Sequence, residues 1–202
     1  MLAIQSKWEI IIPFEKIGED NWAEKTEYIL SELAANWDNV PATPISEEQI
    51  QELEEKLKTT LPEALKQFYK KFGIADIGEQ LQNFNEIRWI QDIWKDAPQY
   101  GPDFTVEEKA VLPFLVSFSD YLGNGNMFCF HSETKEVYYF DHDTKPYLTK
   151  LFHTVSDYIK GCLISCQADL FDEEVGQEKV EAWCEEILEE MFSAAVVKKW
   201  KY

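Results

Sequence analysis

Three short apolar runs, Val111 to Phe118, Asn126 to His131 and Glu136 to Asp141, follow one another across brief connections centred on Leu122-Gly123-Asn124-Gly125 and Ser132-Glu133-Thr134-Lys135. A parallel neighbour needs a crossover of a dozen or more residues, so connections this short restrict the runs to an antiparallel meander. Any fold for this chain must supply a face for that sheet to pack on.

The flanking sequence supplies helices. Trp22, Ile29, Leu30, Leu33 and Trp37 recur at helical spacing behind an Asn21/Glu24 capping pattern, which predicts a helix from Trp22 to Trp37. Pro41 and Pro44 mark a short linker after it. A second capping pattern, Ser46-Glu47-Glu48-Gln49, opens a helix that places Ile50, Leu53 and Leu57 on one stripe. Leu61-Pro62 then predicts a third, with proline in its first turn and Gly73 as its stop. Thr154 and Asp157 cap a fourth that buries Val155, Ile159, Cys162, Leu163 and Cys166, and the same spacing runs back through Leu151 and Leu148. A long closing helix carries Val180, Trp183, Cys184, Ile187, Leu188 and Met191 on one face. At the other end, Trp8, Ile10, Ile12 and Phe14 alternate as a half-buried strand would, ending at Pro13. Residues 74 to 100 fit either a short helix or a broken strand. The expected class is α+β: an antiparallel sheet packed with helices, an added N-terminal strand and helix, and an acidic C-terminal helix.

The 202 residues suit a single domain, 1 to 202. No window approaches the roughly 18 apolar residues of a membrane helix, and Lys7, Glu9 and Pro13 come too early for a secretory signal, so a cytoplasmic protein without membrane contact is expected. Cys129, Cys162, Cys166 and Cys184 contain no C-x-x-C pair, which favours buried thiols over a disulfide framework or a zinc site. Against 19 Lys and Arg stand 38 Asp and Glu, a formal charge of −19. Ten of the acids, against Lys179 alone, lie between Asp169 and Glu190. Such a field repels nucleic acid and steers a basic protein.

The segment Ile45-Ser46-Glu47-Glu48-Gln49-Ile50 through Leu53-Glu54, then Leu61-Pro62-Glu63-Ala64-Leu65-Lys66-Gln67-Phe68-Tyr69 and Phe72-Gly73, resembles the opening of the SUKH superfamily, Smi/Knr-type branch. Val111-Leu112-Pro113-Phe114, the Gly123-Asn124-Gly125 turn, the strands to His131 and Asp141, and the helix after Phe152-His153-Thr154 resemble the rest of that domain in order. The resemblance covers about residues 45 to 166, leaving an N-terminal extension, 1 to 44, and a helical C-terminal extension, 167 to 202. It implies helices against one curved sheet. It also implies a protein that works by binding, because bacterial members are mostly immunity proteins that neutralise toxins, often nucleases, while fungal members regulate cell-wall assembly.

An enzyme reading needs a constellation, and the best is Asp141-His142-Asp143 with His131 on the neighbouring strand, which could serve a metal-assisted hydrolase. Alternation points His142 away from the two aspartates, and no His-Glu-x-x-His motif accompanies them. His153 reads as a structural histidine, and Cys162 with Cys166 as core packing. The reading is therefore no catalytic residue, no metal and no cofactor. A binding protein instead needs acids beside aromatics, and Glu86, Trp89 and Asp92 in the middle segment, with Asp120 and Tyr121 beside the turn, are the candidate partner-binding residues. The expected partner is a basic toxin domain encoded nearby.

Overall fold

The computed structural model describes residues 2–40, 42–75, 77, 81–82, 84–95, 101–121 and 124–201, with the side chains of Asp120 and Tyr121 outside the description. Five strands, β1 (Arg88–Trp89), β2 (Leu115–Tyr121), β3 (Asn126–His131), β4 (Val137–Phe140) and β5 (Leu148–Phe152), pair antiparallel in chain order. Short connections place β3, β4 and β5 each beside the strand before it, while β1 reaches β2 across the longer stretch from Ile90 to Phe114. The β2–β3 register runs from Leu115 opposite His131 to Tyr121 opposite Asn126, with an irregularity between Ser117 and Ser119.

Alternation along the strands divides the apolar side chains between two faces. Val116, Phe118, Phe128, Phe130, Val137, Tyr139 and Phe152 join the main core with the helices α1 (Trp22–Asn36), α2 (Glu47–Leu57), α3 (Glu63–Phe72) and α5 (Val155–Cys166). Leu115, Cys129, Phe140 and Leu148 point the other way, into a smaller cluster with Ile90 and Phe104. Trp94 closes that cluster edge-on, 5.8 Å from Phe104 and 5.3 Å from Phe140. The C-terminal helices α6 (Gln177–Phe192) and α7 (Ala194–Lys201) pack on the main-core side, where Trp200 lies edge-on to Phe152 at 5.5 Å.

Local signals explain the helix starts. Ser46 Oγ accepts the Gln49 N–H and the Gln49 side chain accepts the Ser46 N–H, as the capping pattern predicts. Thr154 caps α5 through the Asp157 N–H. Gly73, at φ +62, ends α3, and a Cβ there would come within 2.1 Å of the Thr43 carbonyl oxygen, so this stop requires glycine.

Several expectations are corrected. The N-terminal alternation is not a strand: Lys7–Glu9 form a 3-10 turn, and among the described residues the pairing nearby is a single parallel bridge from Ile4 to Phe171. Asn21 is left-handed and makes no side-chain cap. Pro62 precedes α3 as its cap residue rather than sitting in its first turn. The run from Val111 to Phe118 is strand only from Leu115, because Thr105 and Glu108 form a capping box that opens α4 (Val106–Val111), followed by a 3-10 turn at Leu112–Phe114. Leu148 and Leu151 belong to β5, which pairs with β4, and not to the start of α5. The ambiguous middle segment is two 3-10 turns, Phe84–Glu86 and Ile90–Trp94, flanking β1, with residues 76, 78–80, 83 and 96–100 outside the description.

Candidate partner-binding surface

The residues singled out in the sequence lie along the β1 edge and the β1–β2 pair. Arg88 opposes Ser117 and Trp89 opposes Val116, so Glu86 and Asp120 fall toward one end of the pair and Asp92 toward the other. Glu86 and Asp92 are exposed on their 3-10 turns. Trp89 is half-buried against the main core, and its indole N–H donates to the Leu57 carbonyl at 3.1 Å, which ties the edge strand to α2. Asp120 and Tyr121 are placed by backbone alone, opposite Met127 and Asn126. The edge thus offers carboxylates around an indole that is already committed to packing.

The sheet separates His131 from the aspartates but keeps His142 beside one of them: against the alternation expected from sequence, His142 Nε2 lies 3.2 Å from Asp143 Oδ1. His131 ends β3, whereas Asp141 follows Phe140, which pairs with Met127 at the other end. At about 3.4 Å per residue those ends are about 17 Å apart. Each group has a turn to hold. His131 Nδ1 accepts the N–H groups of Glu133 and Thr134, and its ring stacks on Phe114 at 5.1 Å. Asp141 Oδ1 accepts the N–H groups of Asp143 and Thr144 at 3.0 Å, and Oδ2 accepts from Lys199 of α7. Burial pushes the Asp141 carboxyl up, but Lys199 and the turn amides outweigh it and hold the pKa low. His142 Nδ1 lies 2.8 Å from Asn126 Oδ1. Cys162 is buried on α5 and Cys166 half-buried one turn on, and burial pushes the Cys162 thiol up. Among the described residues no group of three His, Cys, Asp or Glu side chains could hold a metal ion.

Two surface features lay beyond the sequence reading. A groove of about 280 Å³ opens between α1 and α3 over Leu30, Ala34 and Phe72, with Glu27 and Lys71 paired at 3.7 Å on its rim. The other is Trp8, which alternation assigned to the inside and which is 92% exposed. The signal that finds it is Ser6-x-x-Glu9, a capping pattern inside the supposed strand: Glu9 reaches back to accept the Gln5 and Ser6 N–H groups and turns Trp8 outward.

Acidic side chains outnumber basic ones two to one, and several lysines are ion-paired. Lys7 bridges Glu186 and Glu190, Lys70 meets Glu47, Lys150 meets Glu136, and Lys201 meets Glu181 and Glu185. Among the described residues no helix is long and apolar enough to cross a membrane. Residues 44–161 match the family model described as SMI1 / KNR4 family (SUKH-1). No curated protein and no solved structure matches the chain.

Proposed function

This chain belongs to the SMI1 / KNR4 family (SUKH-1), and from that premise we propose that it is a protein-binding immunity protein that neutralises a basic toxin domain, encoded nearby, by stoichiometric binding. The observation that carries the reading is the carboxylate excess. With 38 acids to 19 basic side chains, the molecule carries a formal charge of −19, and its net field is negative. A basic domain meets that field with a raised association rate and is held once apolar contacts form. Inhibition by covering a toxin's active site requires no catalytic group here. It agrees with His131 and Asp141 serving separate turns at opposite ends of β3.

The test is the association rate of the full chain with the protein encoded beside it, measured from low to physiological salt. Charge reversals at Glu86, Asp92 and Asp120 are expected to slow association and flatten its salt dependence, each weakening binding by about 1 kcal/mol where the residue lies at the rim. A wild-type chain that forms no one-to-one complex, or that turns over the toxin or a small substrate, would sink the reading.

A further inference from the structure

Tryptophan is highly buried on average, and six of the seven here obey that rule: Trp22, Trp37, Trp89, Trp94 and Trp183 are half-buried and Trp200 is in the core. Trp8 is the exception at 92% exposure. The backbone that carries it is fastened on both sides. Before it, the Ile4 N–H donates to the Leu170 carbonyl at 2.7 Å and the Asp172 N–H donates to the Ile4 carbonyl at 3.2 Å. After it, the Ile11 N–H donates to the buried Gln167 side chain at 2.8 Å, and Gln167 Nε2 returns a bond to the Ile11 carbonyl at 2.9 Å. Between these fastenings the Glu9 carboxylate holds the turn, and Ile10 packs into the core. The indole is therefore presented on a braced turn, which limits the ordering entropy a partner must overcome when it covers the ring.

Its surroundings define the partner. Lys7 is drawn to α6, where it meets Glu186 Oε2 at 3.0 Å and Glu190 Oε1 at 3.2 Å. Those carboxylates remain 59% and 74% exposed, and each offers Lys7 a single oxygen. With the exposed Glu9, three carboxylates stand against one lysine around the turn. A guanidinium suits this arrangement better than an ammonium. It is planar and weakly hydrated, so it stacks on an indole face, and its fork of N–H groups meets carboxylate oxygens in pairs. We infer that Trp8 anchors the partner interface by receiving an arginine of the basic partner over its indole face, with Glu186 and Glu190 as its carboxylate rim. The anchor thus lies outside residues 44–161, on the seam between the N-terminal turn and α6.

This inference rests on the binding reading, yet the two fail separately. The probe is a blocked hexa-arginine peptide, titrated into the full chain by calorimetry and by indole emission, with hexa-lysine as the charge control. The wild type should bind hexa-arginine more tightly than hexa-lysine, with a change in emission. Trp8→Ala should weaken hexa-arginine binding about tenfold and abolish the preference for arginine, while Trp8→Phe retains part of both. The exposed ring leaves Tm unchanged in either variant. Glu186→Gln with Glu190→Gln should weaken binding of both peptides, and Glu86→Gln with Asp92→Asn should leave the arginine preference intact. Equal hexa-arginine affinity in wild type and Trp8→Ala overturns the anchor. Absence of any complex with the neighbouring gene's protein overturns the binding reading instead.

Discussion

Glu108 shows how much one buried carboxylate can organise. Thr105 N–H donates to its Oε2 at 2.8 Å, closing the cap of α4, and Leu148 N–H donates to its Oε1 at 2.9 Å, fixing the start of β5. Burial alone would push its pKa up, yet the backbone N–H groups stabilise the ionised form more and bring it below the ordinary glutamate value. A glutamate whose folded pKa is depressed contributes stability above its unfolded pKa and loses it as pH falls through the folded one. Glu108→Gln is therefore expected to destabilise by about 1–3 kcal/mol at pH 7, because an amide keeps only one acceptor for two donors. Denaturant titrations should show the gap between the two proteins narrowing below about pH 4, and a gap constant down to pH 2 would contradict the charged role.

The two C-terminal helices depend on a close approach. A Cβ at Gly161 of α5 would lie 2.9 Å from Trp200 Cη2 and 3.0 Å from Cζ3, so the indole of α7 lies directly over the glycine. Trp200 also meets Phe152, Phe128 and Tyr158, and Lys199 beside it bonds Asp141. Trp200→Ala should destabilise by about 3–5 kcal/mol. Gly161→Val should do so by about 1–3 kcal/mol despite valine's better helix propensity. If the clash is the cause, Gly161→Val becomes nearly neutral in the Trp200→Ala background, where the space is vacant. Equal effects in both backgrounds, read by chemical denaturation, would place the cause elsewhere.

The folded molecule gathers a formal charge of −19. Contact pairs such as Lys7 with Glu186 at 3.0 Å and Lys70 with Glu47 at 3.1 Å are shorter than the Debye length between 0.01 and 0.15 M salt, and, being exposed, they contribute little that salt could remove. Repulsion among the surplus carboxylates acts over longer distances and is screened as the Debye length falls from about 30 Å at 0.01 M salt to about 8 Å at 0.15 M. Tm should therefore rise over that interval in sodium chloride, and a fall would mean that local pairs outweigh the global repulsion.

Elements whose instructions are local were readable in the chain. Ser46 with Gln49 and Thr154 with Asp157 make the caps their spacing predicts, because a cap is an exchange of bonds within one turn. The hairpin between β3 and β4 needs only its own turn, and the residues from Ile45 to Cys166 carried a resemblance to the family whose model matches residues 44–161. Patterns with two physical solutions depended on distant partners. Leu148 and Leu151 fit a helix or a strand equally, and β4 with its free edge selected the strand. Trp8, Ile10, Ile12 and Phe14 have a strand's period, but Glu9 caps backward and Gln167, 156 residues away in the chain, takes the Ile11 N–H, so a turn forms and Trp8 faces solvent. His131 and Asp141 look adjacent on neighbouring strands until the antiparallel register sends them to opposite ends of β3. Periodicity says which residues share a face; which partner covers that face, or leaves it bare, depends on contacts between segments far apart in sequence.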